Sequence, residues 1–374
     1  QRPTWDFRTD YATDSSMGRI YNFSAGPSTL PLEVLEEAQA NLVDFSNLGR
    51  SVMEISHRSP PWVERMHHIV ASIRQLAGIS DEYEVLFLQG GASSQFAMVP
   101  LNLLKKEASA DLIVTGTWSV KALKEARKLG KRVREAGTSE ATAFDRIPEE
   151  LILDQDAAYL HYTSNNTIYG TQFSCPPSAS VPLVCDASSD ILSRPVPIKG
   201  HDLIYAGAQK NLGPAGVTLV IVRKDVLDRA AATVPTMLTY ATHAAKGSMF
   251  NTPPVFPIYM LGLVVDWIQQ KGGLQAMEEA NLRKANILYQ AIDKSAFYEG
   301  HAQPASRSQM NVTFRLTNPK LEATFLAEAE AAELHTLKGH RSVGGIRASI
   351  YNAMPLEGVK SLATFMSDFE SRWG

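Results

Sequence analysis

Between residues 30 and 270 the chain alternates short β-branched apolar runs with stretches whose apolar residues recur every three or four positions. The runs fall at 85–88, 112–114, 157–161, 183–185, 203–206 and 217–222. They are too short for buried helices and read as strands, whereas the spacing at 32–42, 61–76 and 119–129 predicts amphipathic helices. Strands and helices taken in turn define an α/β sheet domain.

Past Gly272-Gly273 the pattern changes. A long helix is expected over 274–294, a strand over 310–316, a helix over 320–332 and a glycine-punctuated segment ending at 347–350. This predicts a smaller α+β unit. The expected organisation is a tail over 1–18, a large domain over 19–270 and a small domain over 271–374.

Composition removes several function classes. With 44% hydrophobic and 20% charged residues, 374 residues can bury a large core. A formal charge of −3 without a basic block argues against a nucleic-acid partner. The apolar stretch at 259–268 is interrupted by Asp266 and too short to span a bilayer, so no membrane role is expected. Cys175 and Cys185 form neither a disulfide framework nor a metal motif, which fits a reduced cytoplasmic setting and no metal site. The first residues lack the apolar centre of a signal peptide.

The most informative stretch runs from Leu203 to Gly216, a strand leading into a glycine-rich loop with a single lysine, Lys210. Most lysines are solvated surface charges. A Schiff-base lysine instead needs a rigid turn at a sheet edge, partial desolvation and small neighbours that admit a flat cofactor. Gly207, Ala208, Gly213 and Gly216 are such neighbours.

Upstream, the strand ending in Val184-Cys185-Asp186 delivers a carboxylate. Asp186 could cap the following Ala187-Ser188-Ser189 turn, or hold a pyridinium nitrogen that would keep it ionised. With Lys210 on the next strand unit, the second role leads. A third element, the 85–88 strand followed by Gln89-Gly90-Gly91-Ala92-Ser93, ends in a turn entering a helix, where backbone amides and the Ser93 hydroxyl can cradle a phosphate. It could equally be only a tight connection.

Five motifs carry a family resemblance: Asn22-Phe23-Ser24-Ala25-Gly26-Pro27, Ser51-Val52-Met53-Glu54-Ile55-Ser56-His57-Arg58, Tyr205-Ala206-Gly207-Ala208-Gln209-Lys210-Asn211, Gly247-Ser248-Met249-Phe250-Asn251-Thr252-Pro253-Pro254, and Lys338-Gly339-His340-Arg341 through Arg347 to Ala353. Together they resemble the phosphoserine aminotransferases, a family among the class V pyridoxal-phosphate-dependent aminotransferases, from about Ile20 to the C-terminus. The resemblance implies the fold-type I architecture, with a large domain built on a mainly parallel sheet. It also implies pyridoxal 5'-phosphate as cofactor and amino transfer from L-glutamate to a phosphorylated keto acid.

By the same resemblance Lys210 bonds the cofactor and Asp186 pairs with its ring nitrogen. Trp118 stacks on the ring, Ala92, Ser93 and Gln209 hold its phosphate, and Thr167 holds its phenolic oxygen. Asn251 and Thr252 reach the phosphate from a neighbouring subunit, which implies a homodimer with shared sites. His57, Arg58, His340, Arg341 and Arg347 bind substrate, whose phosphate and carboxylate suit guanidinium forks.

Taken alone, Trp118 could be a core aromatic and Thr167 a turn cap, and each arginine a surface charge. Pro60-Pro61-Trp62, after His57-Arg58-Ser59, departs from the family pattern beside the substrate loop. A cysteine desulfurase would need a reactive cysteine on a mobile loop, whereas Cys185 lies within a strand and Cys175 precedes two prolines. A catalytically silent relative would have lost Lys210, Asp186 or the arginines, all of which are present.

Overall fold

The computed structural model describes residues 18–374, so the tail expected over 1–18 lies, except for Gly18, outside the described residues. The large sheet has seven strands: β1 (Tyr83–Leu88), β2 (Ser109–Val114), β3 (Arg132–Thr138), β4 (Leu160–Thr163), β5 (Leu183–Asp186), β6 (His201–Gly207) and β7 (Thr218–Arg223), in the order β1-β7-β6-β5-β4-β2-β3. Only β7 runs against its neighbours. The expected α/β architecture with a mainly parallel sheet is what the chain adopts.

Strand alternation sorts side chains between two cores. Val85, Phe87, Cys185, Ile204, Ala206, Leu219 and Ile221 face one side. There they meet Trp62, Met66 and Ile69 of α2 (Pro60–Ala77) and Tyr259, Leu261 and Val265 of α5 (Val255–Gln270). Leu86, Leu88, Leu112, Val184, Leu203, Tyr205 and Val220 face the other side. They pack on Phe96 and Val99 of α3 (Gly91–Leu103) and on Ala122 and Leu123 of α4 (Thr117–Lys128). Each Val, Leu or Ile removed from water in this way contributes about 1.5–3 kcal/mol.

The Pro60-Pro61-Trp62 departure acquires a structural role here. The prolines open α2, where a missing N–H costs nothing, and Trp62 is fully buried. Strand β3 escaped the sequence pattern because it is an edge strand bearing Arg132, Arg134 and Glu135, mostly exposed, so it shows no apolar run.

A third core gathers α6 (Gly273–Asp293), β8 (Tyr298–Gly300), β9 (Asn311–Leu316), β10 (Ile346–Ser349), α7 (Glu322–Ala331) and α8 (Leu356–Trp373) around Phe314, Phe325 and Phe369. Residues near the N-terminus join it: Tyr21–Asn22 pairs in parallel with Leu334–His335, and Phe23 is fully buried there.

A polar seam ties this unit to the sheet. The Lys284 ammonium of α6 donates to the carbonyls of Ile350 at 3.0 Å, Tyr351 at 2.6 Å and Met354 at 3.2 Å, fixing the chain just past β10. Asn352 N–H donates to Asn211 Oδ1 at 3.0 Å, and Tyr351 O–H to the Ala25 carbonyl at 2.8 Å. The strand carrying Arg347 is thereby held in register with the neighbour of Lys210. Among the described residues no helix is long and apolar enough to cross a membrane, and no cluster of His, Cys, Asp or Glu could hold a metal ion.

Candidate active site

Strands β1, β2, β4, β5 and β6 all end at the same edge of the sheet, and each delivers part of one cavity lined by Gly91, Ala92, Ser93, Phe96, Trp118, Thr163, Asn165, Thr167, Asp186, Ser188, Ser189, Gln209 and Lys210. Carboxyl ends of parallel strands are where open α/β sheets bind ligands. Size does not single the cavity out: at about 130 Å³ it is smaller than a groove of about 220 Å³ lined by Leu88, Gly90, Ser94 and Asn251. The chemistry of its lining does.

Lys210 sits in the loop joining β6 to antiparallel β7, clamped by Ala208 N–H to Val217 O at 3.1 Å and Gly213 N–H to Ala208 O at 2.8 Å. Its ammonium donates to Thr167 Oγ1 at 2.7 Å and lies 5.8 Å from the centroid of the Trp118 ring. Burial pushes the ammonium down to about 8, opposed by the Asp186 charge and reinforced by Arg347. The Gly26-Pro27 turn closes over it: a Cβ on Gly26, whose φ is +146°, would stand 3.4 Å from Lys210 Cγ. Ser28 Oγ also donates to the Lys210 carbonyl.

Asp186, at the end of β5, lines the same cavity and is 4% exposed. Its Oδ1 accepts from Ser188 N–H at 3.0 Å and from Ser188 Oγ at 2.6 Å, and Ser188 Oγ in turn accepts from Gly207 N–H at 3.1 Å. Burial raises the Asp186 carboxyl, while the two Ser188 donors and the Lys210 charge lower it. The turn cap is therefore real, and it coexists with the other role. One oxygen is fixed by the turn; no hydrogen bond from the described residues reaches the other, Oδ2.

At the opposite end α3 starts from Gly90, φ +92°, with no side-chain cap on its first amides. A Cβ on Gly90 would collide with Ser94 Oγ at 2.1 Å, so the turn demands glycine. Trp118, at the start of α4, has a buried indole N–H without a hydrogen-bond partner among the described residues.

These features fit pyridoxal phosphate. Uncapped amides with Ser93 and Gln209 suit its phosphate, a free carboxylate oxygen its ring nitrogen, and an amine beside Thr167 its aldehyde and phenolic oxygen.

The other expected residues divide. Arg347 on β10 is close enough to depress Lys210, and burial lowers its own guanidinium. His340 is lowered by burial and then by the charges of Arg347, Arg341 and Lys121, so these three cations lie near enough to act on it. Asn251 lines the neighbouring groove, and Gln89 Nε2 donates to the Thr252 carbonyl at 3.4 Å. None of His57, Arg58, Asn251, Thr252, His340, Arg341 and Arg347 lines the Lys210 cavity of its own chain; of these, only Arg347 is near enough to depress Lys210. Sequence reasoning missed Ser188 and Lys121. The Asp-x-Ser spacing was a usable signal for Ser188; Lys121 gave none.

Comparison with known proteins places this geometry in a class. The family of class V aminotransferases, pyridoxal-phosphate-dependent enzymes, matches residues 20–362. A curated relative from Lysinibacillus sphaericus, a phosphoserine aminotransferase, is 54% identical over 95% of this chain and 99% of its own length; one from Herpetosiphon aurantiacus with that name is 55% identical over 95% and 99%. The structure of phosphoserine aminotransferase from Bacillus circulans subsp. alkalophilus superposes with a TM-score of 0.93 at 50% identity, covering 95% of this chain and 99% of that one. A pyridoxal-phosphate-bound phosphoserine aminotransferase from Trichomonas vaginalis superposes at 0.90 with 40% identity, covering 93% and 100%. The chain belongs to the phosphoserine aminotransferase family and is an aminotransferase.

Proposed function

We propose that the chain transfers the amino group of L-glutamate to 3-phosphohydroxypyruvate, giving 2-oxoglutarate and O-phospho-L-serine in serine biosynthesis. 4-Phosphohydroxythreonine, in pyridoxine biosynthesis, is a second candidate for the same pocket. The observation that carries this reading is a buried lysine amine donating to Thr167 in one cavity with the buried Asp186, its pKa lowered by burial and by the nearby Arg347. The phosphoserine aminotransferase names of the relatives support it.

When bound, pyridoxal phosphate supplies an aldehyde that takes up the amino group and a ring that accepts electrons from the substrate α-carbon. The chain supplies the rest. Asp186 Oδ2 would hold a proton on the ring nitrogen, with Oδ1 committed to Ser188. Trp118 would cover one ring face, Thr167 the phenolic oxygen, and Ala92, Ser93 and Gln209 the phosphate. Lys210 Nζ, partly neutral near pH 8, would take the proton from the substrate α-carbon and deliver it to C4′ of the cofactor, across the intervening nitrogen.

Arg347 is the candidate for the α-carboxylate, because a single fork held on a strand fixes one planar group in register with Lys210. His340 and Arg341, with His57 and Arg58, would receive the distal anion, which is a carboxylate in glutamate and a phosphate in the keto acid. One site then serves both half-reactions, and the kinetics are ping-pong.

The assembly is proposed as a cytoplasmic homodimer in which Asn251 and Thr252 reach the partner's cofactor phosphate, consistent with Asn251 lining a groove separate from the Lys210 cavity and Thr252 bonding Gln89 beside that groove. A large domain over 19–270 and a small domain over 271–374 are proposed, with Tyr21 to Phe23 crossing to the small core. The test is kcat/KM for 3-phosphohydroxypyruvate and hydroxypyruvate. Arg341→Ala should impair the phosphorylated substrate more, and Arg347→Ala should impair both alike; the reverse pattern would show the two ends of the substrate to be exchanged.

A further inference from the structure

Lys121 lies on α4 one helical turn beyond Trp118, and its ammonium sits 4.6 Å from the centroid of the indole ring. An exposed lysine on a helix ordinarily shares its charge with an acid four residues along, which here is Glu125. Glu125 instead pairs with Lys128 at 3.8 Å, and Lys121 turns back toward the site. Its charge contributes, with Arg347 and Arg341, to lowering His340.

Among the described residues none of Lys121, Arg341 and Arg347 has a carboxylate within 4.0 Å. Cations gathered without acids mark a place kept for an anion.

The charge of the two substrates separates what these groups do. The distal carboxylate of glutamate carries one negative charge, whereas a phosphate monoester carries about 1.5 to 2 at neutral pH. His340 is held toward its neutral form by burial and its cationic neighbours, so it contributes a hydrogen bond more than a charge. A phosphate therefore requires one further cation that a carboxylate does not. A lysine ammonium, a compact charge on a flexible stem with three donors, suits a tetrahedral oxyanion.

We propose that Lys121 is a specificity-determining residue that favours phosphorylated keto acids by adding its charge to the distal anion site. Its contact with Trp118, which lines the Lys210 cavity, holds the ammonium beside the site. The proposal rests on the assignment of the distal pocket made above, and the experiment separates the two.

In cofactor-loaded enzyme, Lys121→Gln and Lys121→Arg are compared with the parent for kcat/KM on 3-phosphohydroxypyruvate and hydroxypyruvate, at low and high ionic strength. Binding of inorganic phosphate is followed by tryptophan fluorescence. Lys121→Gln should lower the preference for the phosphorylated acid by about two- to fivefold, the range of an exposed charge pair. It should weaken phosphate binding by a similar factor, with both effects shrinking in salt. Lys121→Arg should restore both, which a lost helix-surface contact would not explain. Unchanged preference and unchanged phosphate affinity in Lys121→Gln, with the parent discriminating normally, would overturn the proposal and leave the distal pocket standing. A parent that does not discriminate would overturn the pocket assignment and this proposal with it.

Discussion

Replacing Ser188 by alanine tests how the structure keeps Asp186 ionised. The serine hydroxyl donates to Asp186 Oδ1 at 2.6 Å and accepts from Gly207 N–H at 3.1 Å, joining the carboxylate to the last residue of the strand that carries the lysine loop. Hydrogen bonds to charged groups contribute about 1.5–3 kcal/mol each. Asp186 is buried, so solvent cannot replace the lost donor. The backbone donor of Ser188 and the Lys210 charge remain, so the carboxylate is weakened and not abolished.

A carboxyl raised by burial and lowered by Ser188 must titrate higher once the hydroxyl is gone, and the loss is felt as pH falls. If the cofactor depends on the ionised form, its affinity should fall by roughly 10- to 100-fold at neutral pH. The acid limb of the activity profile should move to higher pH. Equilibrium dialysis of cofactor against the variant, with pH profiles of kcat, measures both. Unchanged cofactor affinity and an unmoved acid limb, in a variant that folds normally, would refute the claim that Ser188 sustains the Asp186 charge.

Three further outcomes are expected. Apoprotein should recapture pyridoxal phosphate at a rate that rises with pH through about 8, because only the neutral Lys210 amine attacks an aldehyde and burial has lowered its titration from 10.5; stopped-flow absorbance over pH 6.5–9.5 checks this, and a rise deferred to pH 10 would contradict it. Mixed dimers of Lys210→Ala with the double variant Asn251→Ala/Thr252→Ala should recover one intact site per dimer, and no recovery after demonstrated subunit exchange would argue against shared sites. Trp62→Ala should lower stability by about 3–5 kcal/mol by emptying a fully buried position in the core beneath α2, measured by denaturant unfolding of the apoprotein.

Much of this was legible in the chain because the signals were local. The strands at 85–88, 183–185 and 203–206 are buried on both faces and so carry continuous apolar runs, and each falls within β1, β5 or β6. Lys210, Asp186 and the Gly90-Gly91 turn stand directly after those strands, so finding the strands placed them together at one sheet edge. What stayed hidden depends on tertiary contact. The pairing of Tyr21–Asn22 with Leu334–His335 spans most of the chain and leaves no periodic trace. The C-terminal helix α8 was not anticipated, although Val359, Leu362, Met366 and Phe369 recur at helical spacing on its buried face. Lys121 looks like any surface lysine until its ammonium is found over Trp118 and not beside Glu125.

The central claim is that this chain, with Lys210 moving the proton, transfers an amino group between glutamate and a phosphorylated keto acid, and half-reactions on purified cofactor-loaded protein test it most directly. Addition of glutamate without a second substrate should abolish the visible absorption of the bound cofactor and release about one 2-oxoglutarate per site. Addition of 3-phosphohydroxypyruvate should then restore the absorption and yield an equal amount of phosphoserine, while Lys210→Ala binds the cofactor but completes no cycle. A spectrum indifferent to glutamate, or normal turnover by Lys210→Ala, would contradict it.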